Sequence, residues 1–213
     1  MMEHLRHLLS HVTYPIRKFD IETLPRRHML PDLEAKYMAN LYDKANRVLE
    51  LGSGGSTLYC DDRNIVCDSY ETDHSFYLKL RDKLSKHTTV TLNYIDIGKT
   101  ASYSEPFLWK FRDISRIGEL YISCVDRALN EHEHDLIFID GRWRIACALV
   151  ALGKKTNAST NVIIDDVFPG RYYLKHINRL FNYTQKGRLA ILHSVKNNVD
   201  LPNEVDRFVQ IAD

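Results

Sequence analysis

The sequence predicts an α/β fold: a doubly wound, mostly parallel sheet with helices on both faces. Short apolar runs of strand character alternate along the chain with stretches whose apolar residues recur at helical spacing. The first such run breaks into a glycine turn, Gly52-Ser53-Gly54-Gly55, and four of the runs end in acidic residues. In a parallel sheet these ends share one edge, the edge at which such folds bind ligands.

Bulk composition narrows the class. A chain of 213 residues, 44% hydrophobic and 27% charged, suits one domain spanning residues 1–213 with a substantial core. A net charge of +1 creates no field that demands nucleic acid or a membrane as partner. Cys60, Cys67, Cys124 and Cys147 lack metal-ligand spacing, and Cys67 and Cys147 lie in core-like runs, so reduced thiols and a cytoplasmic protein are expected. No run is long enough for a membrane span, and residues 1–12 carry charge and histidines instead of a signal segment.

The elements follow in order. Residues 1–30 form an N-terminal extension in which Leu5, Leu8, Leu9 and Val12 mark a short amphipathic helix. Leu33, Tyr37, Met38 and Leu41 predict a helix over 31–45 that leads into a strand at Arg47. A second strand covers 65–70, and Asp73 can cap a helix that buries Phe76, Leu80 and Leu84. A third strand covers 89–95, a helix covers 118–129, and Leu136-Ile137-Phe138-Ile139 is apolar enough to be a central strand. Ile145, Leu149 and Leu152 predict a helix that Gly153 ends, where Lys154-Lys155 would favour its C-terminus. A fifth strand follows at 161–164. Residues 171–181 read as a helix, 183–195 as one or two strands bent near Gly187, and Val205, Phe208, Val209 and Ala212 as a closing helix.

The glycine turn carries most of the functional signal. Gly52 and Gly54 flank one residue, as a chain requires where its backbone approaches a ligand closely. Glu50 precedes the turn and selects the ligand: it would repel a pyrophosphate and hold the cationic amino acid end of S-adenosylmethionine. A dinucleotide fingerprint needs a third glycine where this chain has Thr57. The expected cofactor contacts are therefore Glu50, Gly52, Ser53, Gly54, Ser56 and Thr57.

Glu71 comes about 20 residues after the turn, where an acidic side chain reaches ribose hydroxyls; its neighbour Asp73 reads as a helix cap. Asp96 either accepts a hydrogen bond from an adenine amine or is a strand-end turn residue. Asp140, Asp165 and Asp166 lie beside the expected point of methyl delivery and admit three readings: divalent-cation ligands, a general base, or anchors of loop backbone.

These residues resemble the class I S-adenosylmethionine-dependent methyltransferases over residues 31–195. Glu50-Leu51-Gly52-Ser53-Gly54 is similar to that family's first motif, Tyr70-Glu71 to its second, Tyr94-Ile95-Asp96 to its third, and Leu136 to Asp140 to its fourth strand. The resemblance implies a Rossmann-like sheet of seven strands with the last antiparallel, and S-adenosylmethionine as cofactor. Within the family, Asp140 with Asp165-Asp166 looks somewhat like metal-dependent catechol-type O-methyltransferases, which have Asn where Asp166 stands. The run Asp140-Gly141-Arg142-Trp143-Arg144 with Asp166 and Arg171-Tyr172-Tyr173 looks closer to uncharacterised methyltransferase-like proteins. The chain has neither the Asn-Pro-Pro-Tyr of adenine amino-methyltransferases nor the Pro-Cys of cytosine-C5 enzymes. The implied function is O-methylation of a small-molecule or glycan-like acceptor, with Asp140 or Asp166 catalytic; the alternative is a binding protein without turnover.

Residues 98–116 lack periodicity and carry Tyr103, Phe107, Trp109 and Phe111, so they read as a lid over the site or as a satellite core. Arg142, Arg144 and Arg171 could bind an acceptor carboxylate or phosphate, or be solvated. His74 and His176 are possible bases, or packing residues.

Overall fold

The computed structural model describes residues 21–100, 104, 106–107, 112–154 and 159–211. The expected N-terminal helix, Tyr103, Trp109, Phe111, Lys155 and Ala212 lie outside the described residues.

After a single 3-10 turn at Ile21–Thr23, the order is α1 (Asp32–Tyr42), β1 (Arg47–Leu51), α2 (Gly55–Arg63), β2 (Val66–Glu71), α3 (His74–Lys83) and β3 (Val90–Tyr94). Then follow α4 (Ile114–Glu131), β4 (Leu136–Ile139), α5 (Arg144–Gly153), β5 (Asn161–Ile164), α6 (Leu174–Leu180), β6 (Phe181–Lys186), β7 (Leu189–Val195) and α7 (Leu201–Val209). The seven strands form one sheet in the order β3-β2-β1-β4-β5-β7-β6. β1 pairs in parallel with β2 and β4, and β7 runs antiparallel to both its neighbours. This is the mostly parallel sheet that the sequence predicts, with the Rossmann-like order and antiparallel last strand that the family resemblance implies.

The central strands are apolar because both their faces are covered. All four residues of β4 are buried, and so are Val162 to Ile164 of β5. One large cluster packs α4, α5 and α7 around Trp143, Tyr121 and Phe208, while a second packs α1 and α2 around Tyr42, Val48 and Phe138. Gly118 lets α4 close onto this core, since a Cβ there would overlap the Val209 carbonyl and lie 2.7 Å from Trp143 Nε1. The Trp143 indole itself donates to the Val209 carbonyl at 2.9 Å.

Some boundaries differ from the sequence reading. α2 has no clean apolar stripe, because residues 55–61 are all buried, so periodicity does not reveal it. α4 extends beyond 118–129 at both ends and starts with Asp113 capping the Arg116 amide. The helix expected over 171–181 begins only at Leu174, and Phe181 already opens β6. Lys154 caps the C-terminus of α5, and its Nζ also bonds Asp126 and Asn130 of α4, each at 2.7 Å.

Candidate active site

The parallel topology brings the expected residues to one edge. Along it, in strand order, lie Asp96 after β3, Glu71 ending β2, the glycine turn after β1, Asp140 after β4, and Asp165-Asp166 after β5.

At the centre, Glu50 is completely buried beneath the turn. Its Oε1 accepts from the Tyr42 hydroxyl at 2.9 Å, and its Oε2 accepts from Thr57 at 2.7 Å and Ser69 at 2.9 Å. Three hydroxyl donors keep a charged side chain in the core at tolerable cost. The expected direct contact between Glu50 and a ligand ammonium does not match this position, because the carboxylate has no exposed surface. It instead fixes Thr57, whose Oγ1 accepts from the Gly54 amide at 2.8 Å, and Ser69, which shares a hydrogen bond with Ser53 at 2.7 Å.

The two glycines serve different ends. Gly52 has φ +105°, and a Cβ on it would stand 2.8 Å from the Gly141 nitrogen, so its lack of a side chain lets β1 approach the loop after β4. Gly54 faces open space, with nothing within 4 Å of the point where a Cβ would stand. α2 starts at Gly55, immediately after this opening, and Ser56 and Thr57 are buried in its first turn.

Toward β3, Glu71 is nearly buried, and its Oε1 accepts from the amides of Thr72 and Asp73 and from the Ser104 hydroxyl, at 2.7 to 2.9 Å. Burial raises its pKa against these bonds. Asp73 caps α3 by accepting from the Phe76 amide, which leaves Glu71 as the acidic side chain at this strand end. Asp96 is exposed and accepts from the Gly98 amide at 2.8 Å. A cavity of about 500 Å³ lies here, lined by Asp73, Tyr94, Asp96, Lys99 and their neighbours, with the His74 ring against Tyr94 on its wall. Among the described parts of 98–116, Phe107 packs under Lys99 and Arg112 donates to the carbonyls of Ile97 and Lys99, so they fold back onto the segment after β3.

On the other side, acids and arginines interlock. Asp140 Oδ1 accepts from Arg144 Nη2 at 2.9 Å. Arg144 also donates to the carbonyls of Asp140, Gly141 and Asp165 and to the Tyr173 hydroxyl. Arg188 grips Asp165 through Nε at 2.7 Å and Nη2 at 3.1 Å and reaches Asp166, which Arg171 bonds at 2.5 Å. Desolvation pushes Asp140 up to about 6 against the pull of Arg144, even though 41% of its side chain meets solvent at the mouth of the site. Burial likewise raises Asp165, with Arg188 opposing. His176 is away from these groups, buried between Tyr172 and Phe208.

Among solved structures, the fold matches a methyltransferase-like protein from Silicibacter pomeroyi with a TM-score of 0.69 at 23% identity, over 88% of this chain and 100% of that one. This chain has a methyltransferase fold. A further match, with a TM-score of 0.44 and 13% identity over 78% of this chain and 46% of that one, is the MycE methyltransferase from the mycinamycin biosynthetic pathway in complex with Mg and SAH. No family model and no curated protein matches the sequence.

Within this methyltransferase fold, several residues at the edge escaped the sequence reading. Tyr42 and Ser69 complete the shell of Glu50, and Arg188 completes the acid cluster, beside Tyr173 of the Arg171-Tyr172-Tyr173 run. Ser69 left no trace that sets it apart from its neighbour Asp68 in the same strand, and Arg188 left none either. Among the described residues, Glu50, Cys60 and Cys67 place potential metal-ligand atoms within 4.8 Å of one another. The group does not fit an ion, because Glu50 already has three donors and burial holds the Cys67 thiol well above its usual range.

Proposed function

We propose that this chain is an S-adenosylmethionine-dependent methyltransferase that methylates a hydroxyl of a small-molecule or glycan-like acceptor. The observation that carries the reading is the open glycine turn at the head of β1, held by Glu50 through Thr57 and Ser69 and followed at once by a helix start. The first-turn amides of α2 and the hydroxyls of Ser53 and Ser56 suit the amino acid end of the cofactor, Gly54 leaves it room, and the buried Thr57 holds the turn in place. Glu71 and Asp96, with the cavity beside them, suit the ribose and adenine. When bound, the cofactor would supply an electrophilic methyl group on a cationic sulfur.

The chain's own part is to position the acceptor and take its proton. Asp140 suits the second task better than Asp166. Its carboxyl is exposed at the mouth of the site and bonded by one guanidinium, whereas Asp166 is largely covered and engaged by Arg171 and Arg188. The net charge of +1 supports a small acceptor over nucleic acid or a membrane surface. No described helix is long and apolar enough to cross a membrane, and none of the four cysteines is in a disulfide, which supports the cytoplasm.

Calorimetry with S-adenosylhomocysteine tests the cofactor: we expect saturable one-site binding that Glu50→Ala abolishes. No binding to the wild-type protein overturns the reading. With a panel of hydroxyl acceptors and labelled S-adenosylmethionine, Asp140→Asn should lower kcat roughly 100-fold while leaving cofactor affinity near wild type. A second reading, a cofactor-binding protein without turnover, draws on the arginines that engage the acidic side chains. Tight cofactor binding with no methyl transfer across the panel would select it.

A further inference from the structure

Three carboxylates at two adjacent strand ends suggest a divalent-cation site, and the residues present do not fit one. Each carboxylate already has a guanidinium partner. Asp140 is bonded by Arg144, Asp165 by Arg188, and Asp166 by Arg171 and Arg188, with Arg144 Nη1 3.5 Å away. We infer that Arg188, supported by Arg144 and Arg171, is a built-in cation that occupies the place of a metal ion, so that this site binds no divalent metal.

Charge and shape agree on this. Three guanidiniums balance three carboxylates, so an incoming dication would meet a neutral cluster and three repelling neighbours. Arg188 presents a planar fork to two consecutive acids, which is the chelating geometry a metal would otherwise supply. Its position is enforced by the backbone: Arg188 immediately precedes β7, the antiparallel neighbour of β5, and its carbonyl accepts from the Val167 amide at 2.7 Å. A guanidinium cannot lose its charge at working pH, and Asp165 is too buried to exchange partners with solvent ions. Asp166, at φ +66°, is held in a conformation that costs a non-glycine residue energy, and the Tyr173 hydroxyl fixes its carbonyl at 2.9 Å. Arg188 is thus a positioning residue for the acidic side chains.

Titration with Mn²⁺ alone, followed by the paramagnetic resonance of the free ion, tests the inference on the wild type, Arg188→Gln and Asp166→Asn. The wild type should leave the free signal unchanged up to roughly millimolar metal. Arg188→Gln keeps a hydrogen-bonding side chain but drops the charge, and should bind one Mn²⁺ at least about tenfold more tightly. One-site Mn²⁺ binding by the wild type that Asp166→Asn weakens overturns the inference, and so does a folded Arg188→Gln that binds no better than wild type. If Arg188→Gln does not fold, as circular dichroism would show, the wild-type and Asp166→Asn titrations still decide. S-adenosylhomocysteine binding, measured separately, distinguishes failure of the cofactor reading from failure of this one.

Discussion

His28 is buried against the rings of Tyr42, Tyr59 and Phe138, with centroids 4.4, 5.3 and 6.4 Å away, and neither of its ring nitrogens has a hydrogen-bond partner. Burial drives its pKa down to about 4, against the opposing pull of Asp43. The unfolded chain takes up this proton near pH 6.5, whereas the folded one refuses it until near pH 4. Stability is therefore full above pH 6.5 and is lost as the pH falls toward 4, by about 3 kcal/mol from this residue. Urea unfolding at pH 7 and pH 4 should show that excess loss in the wild type and not in His28→Leu; equal losses would contradict the assignment. The acidic residue nearby differs in having partners. Glu50 is as buried as His28, yet three hydroxyls satisfy it. The sequence made Glu50 visible as an acid before a glycine turn, but its partners Tyr42 and Ser69 come from other elements, and no local pattern connects them.

At the scale of elements, the turn between β1 and α2 separates stability from ligand binding. Gly52→Ala forces a side chain into a positive-φ position against the Gly141 backbone, so it should cost about 2 kcal/mol or more. Gly54 has extended φ and open space around it, so Gly54→Ala should leave the unfolding midpoint near wild type while weakening S-adenosylhomocysteine binding at least about tenfold. Denaturant curves and calorimetry on the two variants check both outcomes, and unchanged affinity in Gly54→Ala would move the ligand elsewhere. At the opposite end of the sheet, Asp68 of β2 joins Arg47 of β1 at 2.7 Å and His134 before β4 at 2.9 Å. Burial raises its carboxyl, but these partners outweigh it and hold the carboxyl at about 2. The strands that such clamps join were legible from their apolar runs, since side-chain alternation and burial are local properties. α2 was not, because an element buried on every side shows no amphipathic period.

Across the whole molecule, the proposed ligand would lie at the sheet edge between β1, β2 and β4 and bind only the folded chain. At about 100 times its dissociation constant, S-adenosylhomocysteine should add about 2.7 kcal/mol and raise the melting midpoint by about 5 to 10 °C. A thermal scan with and without ligand checks this, and an unshifted midpoint at such saturation would argue against the site. The sequence by itself determined the alternation of strands and helices apart from α2, the turn after β1 and the acidic strand ends, because each is written in a few consecutive residues. Only the tertiary structure decided the order β3-β2-β1-β4-β5-β7-β6, the burial of Glu50, and the pairing of Asp165 with Arg188, 23 residues away. These depend on which strands lie side by side, and that is settled by burying distant apolar faces together, which no local period encodes.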